Sequence, residues 1–443
     1  MDQPPHARTA SFLVDDAPLL PFHKRLALHA GGGPFLDGYV LSIIGIATVQ
    51  ITPQWGLSSA QQGLIAASAT IGIFLGSLLG GRLTDRFGRR RLYAFDLTAV
   101  AVFSVAQFWV EGFWWLFLLR VLIGVAIGAD YPVAASLLTE FTPKKYRGPF
   151  IGSLTVMWFL GAASAYLVGD LVSGLGDQGW RWVLASAAVP AALAVLARAG
   201  TPESPRWLAG KGRVAEAEAI VTKVFGPHAT LEIESGRSAG AIGPLRKSGY
   251  LGRIAFVTTF WTASVVPLFA VYAFGPRILA GLGLDGRVAN MGSAAITILL
   301  LVSCVIALTA INKLGRRTLL IHSFAWSGLT LLLLGLFPGS PVPVILCLFA
   351  TYAIFTGGAQ VLQLVYPNEL FPTEIRGSAV GLASSLSRVG GAIGTYMVPI
   401  ALDRWGIGPT MLGAAAIAVI GLAVSAAWAP ETRGKSLADS TRL

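Results

Sequence analysis

Charge is the scarcest ingredient of this sequence. Only 12% of the 443 residues are Asp, Glu, Lys or Arg, against roughly 25% in an ordinary soluble domain. A chain so poor in charge and 54% hydrophobic does not have the surface of a soluble globule. Cysteine is equally scarce. Cys304 and Cys347 both fall in apolar runs, so they read as small apolar packers and no disulfide framework is indicated. The five histidines are His6, His23, His29, His228 and His322. None stands with cysteine or carboxylate at ligand spacing, which argues against a metal centre or an embedded enzyme. A phosphate-cradling loop of the GxxxxGK[ST] type is missing, which argues against a nucleotide-driven pump. The N-terminal segment, Met1 to Arg25, lacks the basic-then-apolar order of a signal peptide, so nothing is expected to be cleaved.

What the sequence has in abundance is length of apolar run. Stretches of about 20 residues, enough to cross a hydrocarbon core of roughly 30 Å, recur near 28–50, 59–80, 92–110, 113–138, 149–173 and 180–198. After a polar segment they recur near 252–280, 288–311, 318–337, 342–366, 377–401 and 407–428. The expectation is an all-α membrane protein of twelve transmembrane helices. Its parts are a tail (1–27), a first six-helix bundle (28–199), a loop carrying short amphipathic helices (200–249), a second six-helix bundle (250–429) and a closing tail (430–443).

The net charge of +11 is not a nucleic-acid footprint, because the basic residues sit in short segments between spans. With alternating spans, Arg181, Arg277, Arg287 and Arg404 fall on one side and Arg120 and Arg388 within spans, while every other Lys and Arg lies on the opposite side. By the positive-inside rule both termini are then cytoplasmic, in a plasma membrane, or an inner membrane for a bacterial chain.

The chain also repeats itself. Glu140-Phe-Thr-Pro143-Lys-Lys-Tyr-Arg147-Gly148 returns as Glu369-Leu-Phe-Pro372-Thr-Glu-Ile-Arg376-Gly377, with every matched residue displaced by one and the same interval. Asp85-Arg86-Phe-Gly88-Arg89-Arg90 is echoed, at an interval almost identical to the first, by Asn312-Lys-Leu-Gly315-Arg316-Arg317. Two motifs in one order at nearly one offset imply a duplicated six-span unit. Transporters are often built this way, with the substrate site near the midplane between the halves.

GRLTDRFGRRR (81–91), the EFTPKKYRG and ELFPTEIRG pair, PESPRWL (202–208) and PETRGKSL (430–437) together resemble the major facilitator superfamily, in its sugar porter branch and related organic-ion and metabolite carriers. The resemblance runs from about Asp37 to Leu437. It implies two pseudo-symmetric bundles, alternating access and no cofactor, with a proton gradient as the driving force.

Within that frame the intramembrane ionisable groups stand out, because such groups are expensive and usually functional. Asp37 lies roughly 15 Å and Arg120 roughly 18 Å from the cytoplasmic face at 1.5 Å per residue, so the two are expected to meet. In proton-coupled sugar porters an aspartate in the first span and an arginine in the fourth hold these positions, and the resemblance makes Asp37 and Arg120 the proton-coupling pair. Asp130 should sit near the cytoplasmic boundary, ahead of Pro132, in a structural or gating part or, alternatively, as a substrate contact. The resemblance casts Asp85, Arg86, Gly88, Arg89, Glu140 and Arg147, with Glu369 and Arg376, as the cytoplasmic gate.

Substrate chemistry departs from the sugar porters. Their seventh-span glutamines and asparagine correspond here to Ala263, Ser264 and Phe269, and their fifth-span glutamine to Thr155. That removes directional hydrogen bonds a hexose needs. Arg388 instead lies roughly 18 Å deep in the eleventh span, with no acid near it in sequence, where an anionic substrate would supply the counter-charge. Trp158 is placed to stack on a planar solute, and Tyr39, Gln360, Gln363 and Thr155 complete the candidate substrate set. The expected function is transport of a small organic anion, an aromatic or sugar acid, together with protons, by a monomer. The alternatives are a carrier of a neutral metabolite or sugar, a proton-driven exporter, and a transport-like nutrient sensor.

Overall fold

The computed structural model describes residues 12–230, 250–284, 287–371 and 373–433. The chain enters on helix α1 (Pro21–Ala30), breaks at Gly31, and runs through α2 (Gly32–Trp55), α3 (Ser59–Phe87), α4 (Arg89–Ala106), α5 (Phe113–Phe141) and α6 (Lys144–Ser173). The sixth expected span is two helices, α7 (Gly179–Ala185) and α8 (Ala188–Arg198). Between the halves lie the short α9 (Pro205–Gly210) and α10 (Val214–Phe225). The second half comprises α11 (Leu251–Gly281), α12 (Arg287–Leu314), α13 (Arg316–Leu336), α14 (Val342–Leu370), α15 (Thr373–Trp405) and α16 (Ile407–Trp428). A two-residue parallel pair, Phe12–Leu13 with Ala229–Thr230, ties the N-terminal segment to the central loop. We call the end bearing α1, α9, α10 and Pro430 the base, and the opposite end the far face.

Helix is the only way an open chain can satisfy its backbone in hydrocarbon, and eleven segments among the described residues are long and apolar enough to cross a membrane. The remaining expected span, 377–401, falls within α15, which is helical throughout its described length. It is less apolar because it carries Ser384, Ser385, Ser387, Arg388 and Thr395, and part of it lines a cavity between the halves. Trp109, Trp114, Trp115, Trp182, Trp405 and Trp428 are exposed near helix ends, where the amphipathic indole suits the boundary between lipid and water.

With lipid outside, apolar burial drives helix association only weakly, so close backbone approach has to hold the bundle. On α3, Gly72 and Gly76 face Gly124 and Gly128 of α5. A Cβ on Gly124 would lie 2.1 Å from the carbonyl oxygen of Ala69, and one on Gly72 the same distance from that of Val121. At both bases a glycine with φ of +89° (Gly88 and Gly315) turns the chain into the next helix, a conformation that side chains resist.

The far face is closed. Arg277 of α11 donates to Gln62 Oε1 of α3 at 2.6 Å, joining the halves, and is also bonded to Asp403. Ser59 bonds to Asp403 across the same seam. On the other flank Asp170 of α6 meets Arg287 at 3.2 Å and Asn290 at 3.4 Å, both on α12. Helix α11 is kinked at Phe274 (φ −134°). Pro276 has no N–H to offer the carbonyl of Tyr272 one turn back. That oxygen accepts instead from the Tyr166 hydroxyl of the other half, at 2.9 Å.

Candidate functional site

The cavity between the halves is walled on one side by Pro34, Thr155, Trp158 and Phe159 and on the other by Trp261, Phe269, Gln360, Gln363, Ser384 and Arg388. Its aromatic wall is a stack: the Trp158 and Phe269 rings lie 6.2 Å apart at 17°, with Tyr272 edge-on to Trp158 at 5.0 Å. The Arg388 guanidinium sits 5.4 Å from the Phe269 ring centre, a cation–π distance. Arg388 is the one charged group among the described lining residues.

On the same wall as Phe269 is a line of amides. Gln363 Nε2 donates to Ser264 Oγ at 2.8 Å and to Gln360 Oε1 at 2.6 Å, and Gln360 Nε2 donates to the carbonyl of Ser264 at 3.2 Å. The two glutamines are three residues apart on α14, so helical geometry puts them on one face. Ser264, which the sequence presents as a lost polar position, is their anchor.

The structure brings Thr155, Trp158, Gln360, Gln363 and Arg388 together, but not Tyr39. The Ser186 hydroxyl donates to Val183 O at 2.6 Å, which leaves its oxygen to accept from Tyr39 at 2.8 Å. Tyr39 therefore secures the break between α7 and α8. Its face of α2 turns toward its own bundle, a rotation that depth along the helix does not reveal.

Asp37 lies behind the stack, with no solvent exposure, and accepts from the indole N–H of Trp158 at 2.7 Å. Arg120, 1% exposed, donates to the carbonyls of Val40 at 3.2 Å and Ile65 at 3.3 Å. Equal depth points to a direct Asp37–Arg120 pair. The guanidinium is instead held on the backbones of α2 and α3, three residues past Asp37 on α2. A wall of the cavity and the buried acid thus share one side chain, Trp158. Its hydrogen bond to the acid is not legible in the sequence, since nothing local links positions 37 and 158.

At the base, the two halves surround the repeated glutamates, Glu140 and Glu369, with matching hydroxyl groups. Glu140 is bonded by Ser204 Oγ. In the second half Glu369 takes Arg316 through both oxygens, at 2.7 and 3.1 Å, and Thr432 Oγ1 at 2.6 Å. Glu431 caps α13 by accepting from the backbone N–H groups of Arg316 at 3.0 Å and Arg317 at 3.2 Å. Its counterpart Glu203 lies against Gly88, at the start of α4. Pro-Glu-Ser (202–204) and Pro-Glu-Thr (430–432) are thus a third repeated pair, displaced by nearly the same interval as the other two. That shared offset was the signal that could have found Glu203, Ser204, Glu431 and Thr432. Arg147 bonds Asp15 Oδ1 at 2.7 Å, and Arg206 reaches the same oxygen at 3.2 Å, fastening the N-terminal segment to the base. The side chains of Asp85, Arg86, Arg89 and Arg376 lie outside the described residues.

Eleven segments long and apolar enough to cross a membrane among the described residues, arranged in two similar halves with a cavity at their junction and repeated basal motifs, define a major facilitator transporter. Residues 26–443 match the family of sugar (and other) transporters, and the chain belongs to it. YaaU of Escherichia coli (strain K12) is 43% identical over 430 residues, covering 97% of each chain. The inner membrane metabolite transport protein YgcS of the same organism is 38% identical over 430 residues, covering 97% of this chain and 96% of that one. The xylose transporter XylE from E. coli, in a partially occluded inward open conformation, superposes with a TM-score of 0.80 at 22% identity, covering 94% of this chain and all of XylE. The last likeness is one of fold.

Proposed function

We propose that this transporter carries a small ring-shaped organic acid, together with protons, by alternating access, and that its base faces the cytoplasm. The observation that carries the proposal is Arg388, the single charged side chain of the described cavity lining, set over the Phe269 ring in a cavity that the two glutamine amides also line. A carboxylate would engage the guanidinium, and a planar ring or sugar face would rest on Trp158 and Phe269. Hydroxyl groups on the solute would find donors and acceptors at Gln360, Gln363 and Thr155.

Coupling follows from the shared tryptophan. A solute seated on the Trp158 ring bears on the side chain that hydrogen-bonds Asp37, so binding at the cavity and proton occupancy of Asp37 are energetically linked, reciprocally. Arg120 fixes the helix backbone beside the acid. The orientation rests on the basic segments that gather at the base. The glutamine pair also favours a second reading, a neutral sugar as substrate, since amides are the usual partners of sugar hydroxyls.

The test is uptake by proteoliposomes under an imposed proton gradient, with a panel of sugar acids, aromatic acids and neutral sugars. The expected result is accumulation of an acid, lost in Arg388→Ala, and loss of gradient-driven accumulation in Asp37→Asn. Uptake of a neutral sugar with full activity in Arg388→Ala would establish the second reading instead. Undiminished accumulation by Asp37→Asn would remove the coupling role.

A further inference from the structure

A second group of buried charges in the first half takes no part in the cavity. Arg198 at the end of α8, Asp130 of α5 and Asp96 of α4 form a cluster in which each side chain is 1% exposed. Arg198 donates to both oxygens of Asp130, at 2.7 and 2.9 Å, and more weakly to Asp96 Oδ1 at 3.4 Å. The same guanidinium reaches the carbonyls of Tyr93 at 3.0 Å and His29 at 3.2 Å and lies 3.6 Å from the Tyr93 ring centre. One cation therefore serves two carboxyl groups.

The two carboxyls converge on one nitrogen, Arg198 Nη1, at 2.7 Å from Asp130 Oδ1 and 3.4 Å from Asp96 Oδ1. Two ionised carboxylates held this close on one cation repel each other, which favours a proton on one of them. Charge points the same way. Two buried negative charges against one positive would leave a net charge sealed from water, at a cost of several kcal/mol, and one proton makes the cluster neutral. The distances say where it resides. Asp130 has both oxygens on the guanidinium, whereas Asp96 Oδ1 accepts from Leu97 N–H at 2.6 Å and Asp96 Oδ2 meets no donor among the described residues.

We propose that Asp96, beside the Asp130–Arg198 pair, holds a single exchangeable proton, a second proton-binding site distinct from Asp37. The groups that face it are Tyr93 on its own helix, Arg198 from α8, and His29 from α1 with Arg25 beside it. Helix α2 contributes Gly33, where a Cβ would stand 1.5 Å from Asp130 Oδ2. Asp37 is four residues further along α2 on nearly the same face, roughly 6 Å of helix away. The site therefore stands between Asp37 and the base, the position of a station through which a proton leaving Asp37 would pass. That use rests on the coupling role proposed above for Asp37, while the proton's presence does not.

Infrared difference spectroscopy of the purified full chain in lipid nanodiscs tests it without a substrate. In the Asp37→Asn protein, a carbonyl band of a protonated carboxyl is expected at neutral pH, shifted in D₂O and reversibly lost as pH rises. Adding Asp96→Asn should abolish that band with the fold intact, because the amide is neutral, as the protonated carboxyl is. Asp130→Asn should abolish it too, since Asp96 must then ionise to serve Arg198. No band in the Asp37→Asn protein, or a band untouched by either substitution, overturns the site. A band that survives at every pH at which the chain stays folded overturns its exchangeability. Asp37→Asn transport fails or survives independently of these outcomes, so the two proposals can fall separately.

Discussion

Arg277→Ala should loosen the closed far face by an amount the structure allows one to work out. Arg277 and Asp403 are 35% and 41% exposed, so solvent screens that pair to about 0–1 kcal/mol. The bond to Gln62 is worth more. Gln62 is 6% exposed and its Nε2 is occupied by Leu57 O at 3.1 Å, which aims Oε1 at Arg277. A hydrogen bond to a charged group contributes about 1.5–3 kcal/mol net, and partial exposure argues for the low end. Losing Arg277 therefore shifts the balance toward an open far face by about 2 kcal/mol, roughly thirty-fold in population at 1.4 kcal/mol per decade.

Ala273 reports on that opening. It is 3% exposed, one turn from Arg277 toward the cavity, and its carbonyl abuts Gly45 of the other half. In a background with Cys304 and Cys347 replaced, an Ala273→Cys protein would be labelled by a thiol reagent with and without Arg277→Ala. The expected increase in rate is on the order of ten- to thirty-fold. Asp403→Asn should give a smaller one, because the bond to Gln62 remains. A rate within about threefold of the parent, equivalent to roughly 0.6 kcal/mol, would refute the seal.

Other consequences are equally direct. Gly124→Val puts a branched side chain where even a Cβ would lie 2.1 Å from the carbonyl of Ala69; forcing α3 from α5 should cost about 1–3 kcal/mol or more, read as a lowered thermal midpoint in detergent, and an unchanged midpoint would contradict the packing. Glu431→Gln removes a carboxylate from the first turn of α13, so the midpoint should fall by the equivalent of about 0.3–1 kcal/mol, an effect that high salt diminishes if it is electrostatic. Trp158→Phe keeps a ring against Phe269 but removes the donor to Asp37, so solute exchange at equal pH should persist while gradient-driven accumulation drops; if both persist unchanged, Trp158 is not the link.

Much of this molecule is written locally. The apolar runs placed the crossings because span length answers to bilayer thickness and to backbone groups that must be paired within the helix. The basal motifs betrayed the duplication through their offsets, and Gly88 and Gly315 marked the turns that both halves need. Helix rotation and partner choice are different in kind, since they depend on which faces meet once twelve helices pack. Depth along a helix gave Asp37 and Arg120 the same level, yet packing put one under an indole and the other on backbone carbonyls. It also joined Asp96, Asp130 and Arg198, up to 102 residues apart, in a site no spacing announces. Composition and repetition along the chain determined that this is a two-half membrane carrier. Only the tertiary structure decided which buried charges face one another, because that contact is made across helices whose mutual rotation no single span encodes.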